Sequence, residues 1–249
     1  MPRFGMLDVK SRVANAPALA GARGASWQLK GARILNLSFE IEDAPGDGLI
    51  PPAMHPSIPS YAIFNVTEYP QSPVGPFAIG EVRIVGRAGI FPRGFALRSF
   101  VNSAAAGKEL SQRWGYPVAA GEVALETRHD RIIGTVTADG RTVLEIELAD
   151  REAITPGDVL YYSSMHLARR EDGSPILVQV EPDFAILQAE RGRPLLSTFD
   201  PVAFGAGNYL RVTNPMSASF TTCDVTLAPI RYACDPERPA RESTIQLAA

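Results

Sequence analysis

Glycine and proline cut this sequence into short β-prone runs almost from end to end. There are 21 of each in 249 residues, enough to place a turn after most runs. Many short strands with frequent Gly and Pro turns describe an antiparallel sandwich or barrel, and leave no room for the long helices of a parallel α/β fold. Ile34, Leu35, Leu37, Phe39 and Ile41 largely alternate with Asn36, Ser38 and Glu40, which predicts a strand with one buried face over 27–41. Residues 61–68, 77–85 and 95–101 read the same way, with a bulged turn expected over 86–94. Residues 123–128, 131–137 and 141–149 form a meander, in which Asp139-Gly140 is the strongest hairpin signal. Strands are expected at 159–168 and 176–182, around the turn 171–174, and at 208–213 and 220–232. Residues 184–191 read as a strand or short helix, and 194–206 as holding a short helix.

One stretch departs from this pattern. Ser103 is a good N-cap, and 104–110 are mostly strong helix formers. Gly115 can stop that helix and Pro117 prevents its restart. Extended chain is expected again over 118–125. A helix is thus delivered onto a strand through a Gly115-Tyr116-Pro117 corner, which fixes the positions of Val118 and Ala119.

Gly107-Lys108-Glu109-Leu110 followed by Gly115-Tyr116-Pro117 resembles the acetoacetate decarboxylases, where a Gly-Arg-Glu helix leads into Gly-Phe-Pro-Lys-Lys. In that family one of the two lysines forms a Schiff base with a β-keto acid, and its neighbour lowers its pKa. Here those positions are Val118 and Ala119, so the scaffold is matched and the amine is absent. The resemblance covers roughly 27–232. It implies a mainly β fold, a cone-like antiparallel β-barrel with a few helices, forming a single domain over 1–249. Residues 1–25 and 236–249 are then expected as loosely packed arms.

Composition removes several function classes. The net charge of −3 leaves no basic excess for DNA or RNA. No apolar run approaches the roughly 18 residues of a membrane span. Cys223 and Cys234 form no metal motif, and His55, His129 and His166 lack metal-ligand spacing, so neither metal nor cofactor is expected. Free thiols and the absence of a signal-peptide pattern lead to the expectation of a cytoplasmic protein. Arginine stays protonated, so any imine would have to use Lys10, Lys30 or Lys108, the only lysines in the chain.

The candidate chemistry follows from strand alternation. Ile79, Glu81 and Arg83 share a face; the resemblance implies a glutamate on that strand facing the lysine pair, and an ungapped match puts Ile79 at its position, with Glu81 two residues on. Glu81 is the candidate acid/base, and Arg83 on the same face is either its salt-bridge partner or a clamp for an acidic substrate. His166, on a strand that the resemblance implies lines the cavity, is a second acid/base candidate. Tyr116 is expected at the cavity wall, adding one hydroxyl. Arg98, flanked by apolar residues, either faces solvent or binds an anion. Val118 and Ala119 would supply an apolar floor. The resemblance, less its lysines, implies an enzyme of specialised metabolism. Its substrate would be a small carbonyl-bearing or polyketide-like molecule, processed without Schiff-base chemistry: cyclisation, dehydration, isomerisation or electrostatically assisted decarboxylation. A non-catalytic ligand-binding protein is the alternative, and a decarboxylase using Lys30 or Lys108 is a third. A homo-oligomer is expected, because the resemblance implies one and a sheet edge would otherwise stay unpaired.

Overall fold

The structure is a computed structural model that describes residues 3–20, 24–207, 210–238 and 245–246. Short helix α1 (Val9–Val13) is followed by β1 (Trp27–Ile41), α2 (Asp43–Asp47), β2 (His55–Pro56), β3 (Tyr61–Tyr69), β4 (Phe77–Ala88) and β5 (Phe91–Val101). Helix α3 (Ala104–Trp114) comes next, then β6 (Val118–Ala120), β7 (Glu122–Arg128), β8 (Arg131–Ala138) and β9 (Arg141–Ile154). The chain ends with β10 (Ser164–Arg169), β11 (Pro175–Val180), β12 (Pro182–Phe199), β13 (Val212–Leu227), β14 (Tyr232–Cys234) and β15 (Ile245–Gln246).

Among the described residues the strands join one sheet, ordered β15-β14-β11-β10-β5-β4-β3-β1-β13-β12-β9-β8-β7, with β2 on β4 and β6 on β5. The mainly β fold is as expected, but the sheet is mixed and does not close into a barrel. Its path ends at β15 and β7, which do not pair. The far edge of β5 is shared by two parallel partners: β10 meets it at Gly94 and Phe95, and β6 at Ser99–Val101. In place of hydrogen-bonded closure, the β7–β8 hairpin folds over β3 and β4. A Cβ on Gly80 would lie 2.2 Å from Val136 Cγ2, and one on Gly134 2.8 Å from Val66 Cβ, so the hairpin approaches because these positions carry no side chain.

Two apolar cores result. The larger includes Leu35, Phe64, Val82, Val136, Leu144 and Phe204. The second lies under α3, where Ala106, Leu110 and Trp114 meet Trp27, Ile79 and Val178. Leu7 and Val9 are buried in the larger core, so the first residues are not the loose arm expected. Residues 118–125 divide into β6 and β7, 159–163 stay irregular, and 194–199 continue β12 instead of forming a helix. The Asp139-Gly140 hairpin forms as expected, both residues having positive φ (51° and 73°), as a two-residue turn of type I′ requires. Residues 208 and 209 of the expected strand 208–213 lie outside the described residues, as do 239–244 and 247–249 of the second expected arm.

Candidate functional site

Helix α3 begins where Ser103 accepts a hydrogen bond from the Ala106 amide, and ends at Gly115 in the left-handed region (φ 68°). The Gly115 amide donates to the Ser111 carbonyl at 3.0 Å and that of Tyr116 to the Leu110 carbonyl at 3.3 Å. A Cβ on Gly115 would approach Ala168 Cβ to 3.1 Å, so the corner sits tightly on β10. It aims the Tyr116 ring inward, into a cavity of about 40 Å³.

Strand β4 supplies the charged wall. Ile79, Glu81 and Arg83 all line this cavity, as alternation requires. Glu81 is 3% exposed and forms an ion pair with Arg83, in contact through Oε1 and Nη2. The Ser99 hydroxyl lies 3.4 Å from the other Glu81 oxygen. Arg83 Nη1 reaches the Tyr162 carbonyl at a long 3.5 Å, and its buried Nε has no hydrogen-bond partner among the described residues. Burial works against the Arg83 charge, but the adjoining Glu81 carboxylate more than offsets this and leaves the Arg83 pKa raised. The guanidinium therefore stays cationic with an N–H left over for a ligand.

Tyr69, Tyr116 and Tyr161 line the same cavity, with Ser164 and Thr67. Burial, reinforced by the Glu81 charge at Tyr69 and Tyr116, pushes the three phenols above their usual pKa. They are neutral O–H donors around one carboxylate and one guanidinium. Tyr161 and Thr221 share a hydrogen bond of 2.6 Å, which fixes that hydroxyl. Sequence reasoning missed Tyr69 and Tyr161. Tyr161 belongs to the irregular segment 159–163, where alternation has no meaning.

His166 does not line the cavity. Ser164, His166 and Ala168 share the face of β10 onto which the Gly115-Tyr116 corner packs, and the Tyr116 ring covers the imidazole at 4.1 Å between centroids. The imidazole is wholly buried, with Nδ1 2.8 Å from the Trp114 carbonyl and Nε2 without a partner among the described residues. An Nδ1–H tautomer donating to that carbonyl satisfies this geometry. Burial lowers its pKa from 6.5 to about 4, against the opposing pull of the Trp114 carbonyl. The unfolded chain therefore binds a proton that the folded chain refuses. The stability held at neutral pH is complete above about 6.5 and declines toward pH 4, by roughly 3 kcal/mol from this one group. Urea unfolding at pH 7.5 and 4.5 should show that loss, and His166→Gln should flatten it.

Arg98, Val118 and Ala119 stand elsewhere. Arg98 pairs with Val82, on the face of β5 opposite Ser99, and is exposed, with Nη1 2.6 Å from the Ala203 carbonyl. It lines a second cavity, outside the corner, together with Val118 and Ala119. Pairing nevertheless sets Glu81, Ser99 and Val118 side by side across β4, β5 and β6. Among the described residues no cluster of His, Cys, Asp or Glu could hold a metal ion, and no helix is long and apolar enough to cross a membrane.

No protein-family model matches the chain, and no curated protein sequence does. Solved structures do match it. Acetoacetate decarboxylase from Legionella pneumophila superposes with a TM-score of 0.74 at 18% identity, over 87% of this chain and 88% of that one. The enduracididine biosynthesis enzyme MppR, complexed with pyruvate, gives 0.68 at 16% identity, over 84% and 90%. An acetoacetate decarboxylase-like enzyme from Sphingomonas wittichii RW1 gives 0.67 at 15%, over 85% and 94%. At these identities the likeness establishes architecture, and the chain has the acetoacetate decarboxylase fold.

Proposed function

We propose that this protein is an enzyme that enolises a small oxo acid in the Glu81 cavity without forming an imine. The observation that carries the reading is the buried Glu81–Arg83 pair ringed by neutral phenols, with every lysine elsewhere. Lys30 Nζ is held at the surface by Asp224 at 2.8 Å, and Lys10 and Lys108 are exposed. No lysine lines the cavity, which removes support for a decarboxylase using a displaced lysine.

The chemistry follows from the groups present. A 2-oxo acid carries carboxylate and ketone oxygens side by side, and the Arg83 fork can engage both. Glu81 takes a proton from the carbon next to the ketone. The C–H electron pair becomes the new C=C bond, and the carbonyl electrons move onto oxygen. Arg83 and a phenol O–H then hold that oxyanion in a site shielded from water. Isomerisation, dehydration and cyclisation can all proceed from such an enolate, and specialised metabolism is the setting we assign to it. The cavity has room for roughly three water molecules at ~10–15 Å³ each, so a compact oxo acid suits it better than an extended polyketide. MppR with pyruvate bound supports pyruvate as the first probe.

The test is deuterium incorporation into pyruvate methyl protons in D₂O, followed by NMR. Catalysed exchange is expected. Binding of pyruvate with no exchange would convert the reading to a ligand-binding protein. Borohydride reduction with pyruvate or acetoacetate should give no mass adduct, and an adduct on Lys10, Lys30 or Lys108 would overturn the imine-free mechanism.

We also assign a homo-oligomer in the cytoplasm. Both cysteines are free thiols, which supports the compartment. Ile90 and Phe91 at the β4–β5 tip are 82% and 57% exposed, which supports a covered surface. Light scattering should give a multiple of 26.8 kDa, and Ile90→Glu should reduce it.

A further inference from the structure

Consecutive residues of the corner face two different cavities. Tyr116 lines the Glu81 cavity, while Pro117 lines a larger one of about 680 Å³. This second space lies where β6 and β10 share the edge of β5. Its lining includes apolar Phe95, Leu97, Val118, Ala119 and Leu167. It also includes Arg12, Arg98 and Arg169, with Asn15 and Ser111. No carboxylate lines it, and none of the three arginines is in an ion pair with a described residue.

Each guanidinium spends one hydrogen bond on a backbone carbonyl: Arg12 on Gly205, Arg98 on Ala203 at 2.6 Å and Arg169 on Ala16 at 2.8 Å. These bonds hold the side chains in place and leave most of the five N–H donors on each unspent. Burial, with the repulsion of Arg98, lowers the Arg12 pKa, as gathering like charges in a recess must. Three oriented cations without a counter-charge, in a recess also lined by apolar side chains, are complementary to an amphipathic anion.

We propose that this cavity binds an organic anion, its carboxylate or phosphate head group held by Arg12, Arg98 and Arg169 and its apolar body laid on Phe95 and Leu167. The site is separate from the Glu81 cavity and does not depend on the chemistry assigned there.

Calorimetric titration of the full chain with benzoate, phenyl phosphate and uncharged benzyl alcohol tests this. Benzoate or phenyl phosphate should bind, more weakly as salt is raised, and the stronger of the two names the head group. Benzyl alcohol should bind at least about tenfold more weakly, one charge-assisted hydrogen bond being worth that much. Arg98→Gln should weaken the anion by a similar factor, and Arg98→Lys by less. If Arg98→Gln fails to fold, as judged by its melting curve, Arg169→Gln decides in its place. Failure of both anions to bind, equal binding of benzyl alcohol, or unchanged affinity in the glutamine variants would each overturn the proposal. Loss of benzoate affinity in Tyr116→Phe with full affinity in Arg98→Gln would place the ligand in the Glu81 cavity and overturn it too.

Discussion

Arg83→Met should lower the stability of the fold by about 3–5 kcal/mol, because it strands a buried carboxylate without its cation. Glu81 is 3% exposed, and its other neighbour, the Ser99 hydroxyl at 3.4 Å, is too distant to replace a guanidinium. The double variant Glu81→Gln with Arg83→Met should recover most of the loss, since removing both charges removes the desolvation problem. Urea unfolding of the wild type, both single variants and the double variant gives the coupling energy, provided the slope against denaturant is unchanged. A coupling near zero would mean that the two groups are solvated independently, and that the cavity is wetter than its lining indicates.

The second large effect is on turnover. Glu81→Gln keeps the shape of the side chain and removes its basicity, so pyruvate deuteration should fall by about 10²–10⁴, the usual worth of a positioned base. Pyruvate affinity should hold, because Arg83 and the phenols remain. Tyr116→Phe should cost less, as Tyr69 and Tyr161 offer alternative donors to the same oxyanion. Loss of binding and exchange together in Glu81→Gln would make Glu81 a support for Arg83 and not a base. Exchange surviving in Glu81→Gln would move the base elsewhere.

The legible parts of the site were those set by local periodicity. Alternation along FAIGEVRIV placed Ile79, Glu81 and Arg83 on one face, and the cavity contains all three. The α3 helix and its corner were readable because Ser103, Gly115 and Pro117 act through their own backbone. What escaped depends on contacts remote in sequence. The enclosure of His166 arises because β10 lies beneath a corner about fifty residues earlier, which no local pattern encodes. Of the two positions that its apolar flanks left open to Arg98, the exposed one is taken: it pairs with Val82, on the face of β5 opposite Ser99. The open ends of the sheet were hidden for the same reason: closure depends on which edges meet, and β5 uses its last edge on two parallel partners.

That shared edge bears on when the protein becomes competent. The parallel pairing of Ser164 with Gly94 joins segments separated by most of the α3-to-β9 chain, whereas the hairpins β3–β4, β4–β5, β7–β8 and β8–β9 join neighbours. Loop-closure entropy delays such distant pairings relative to local ones. Ser164 and Tyr161 form one wall of the Glu81 cavity, and both arrive with β10. A nascent chain can thus complete most of its meander while the ion pair still faces water. The site matures late, and ligand binding reports a late step of assembly rather than an early one.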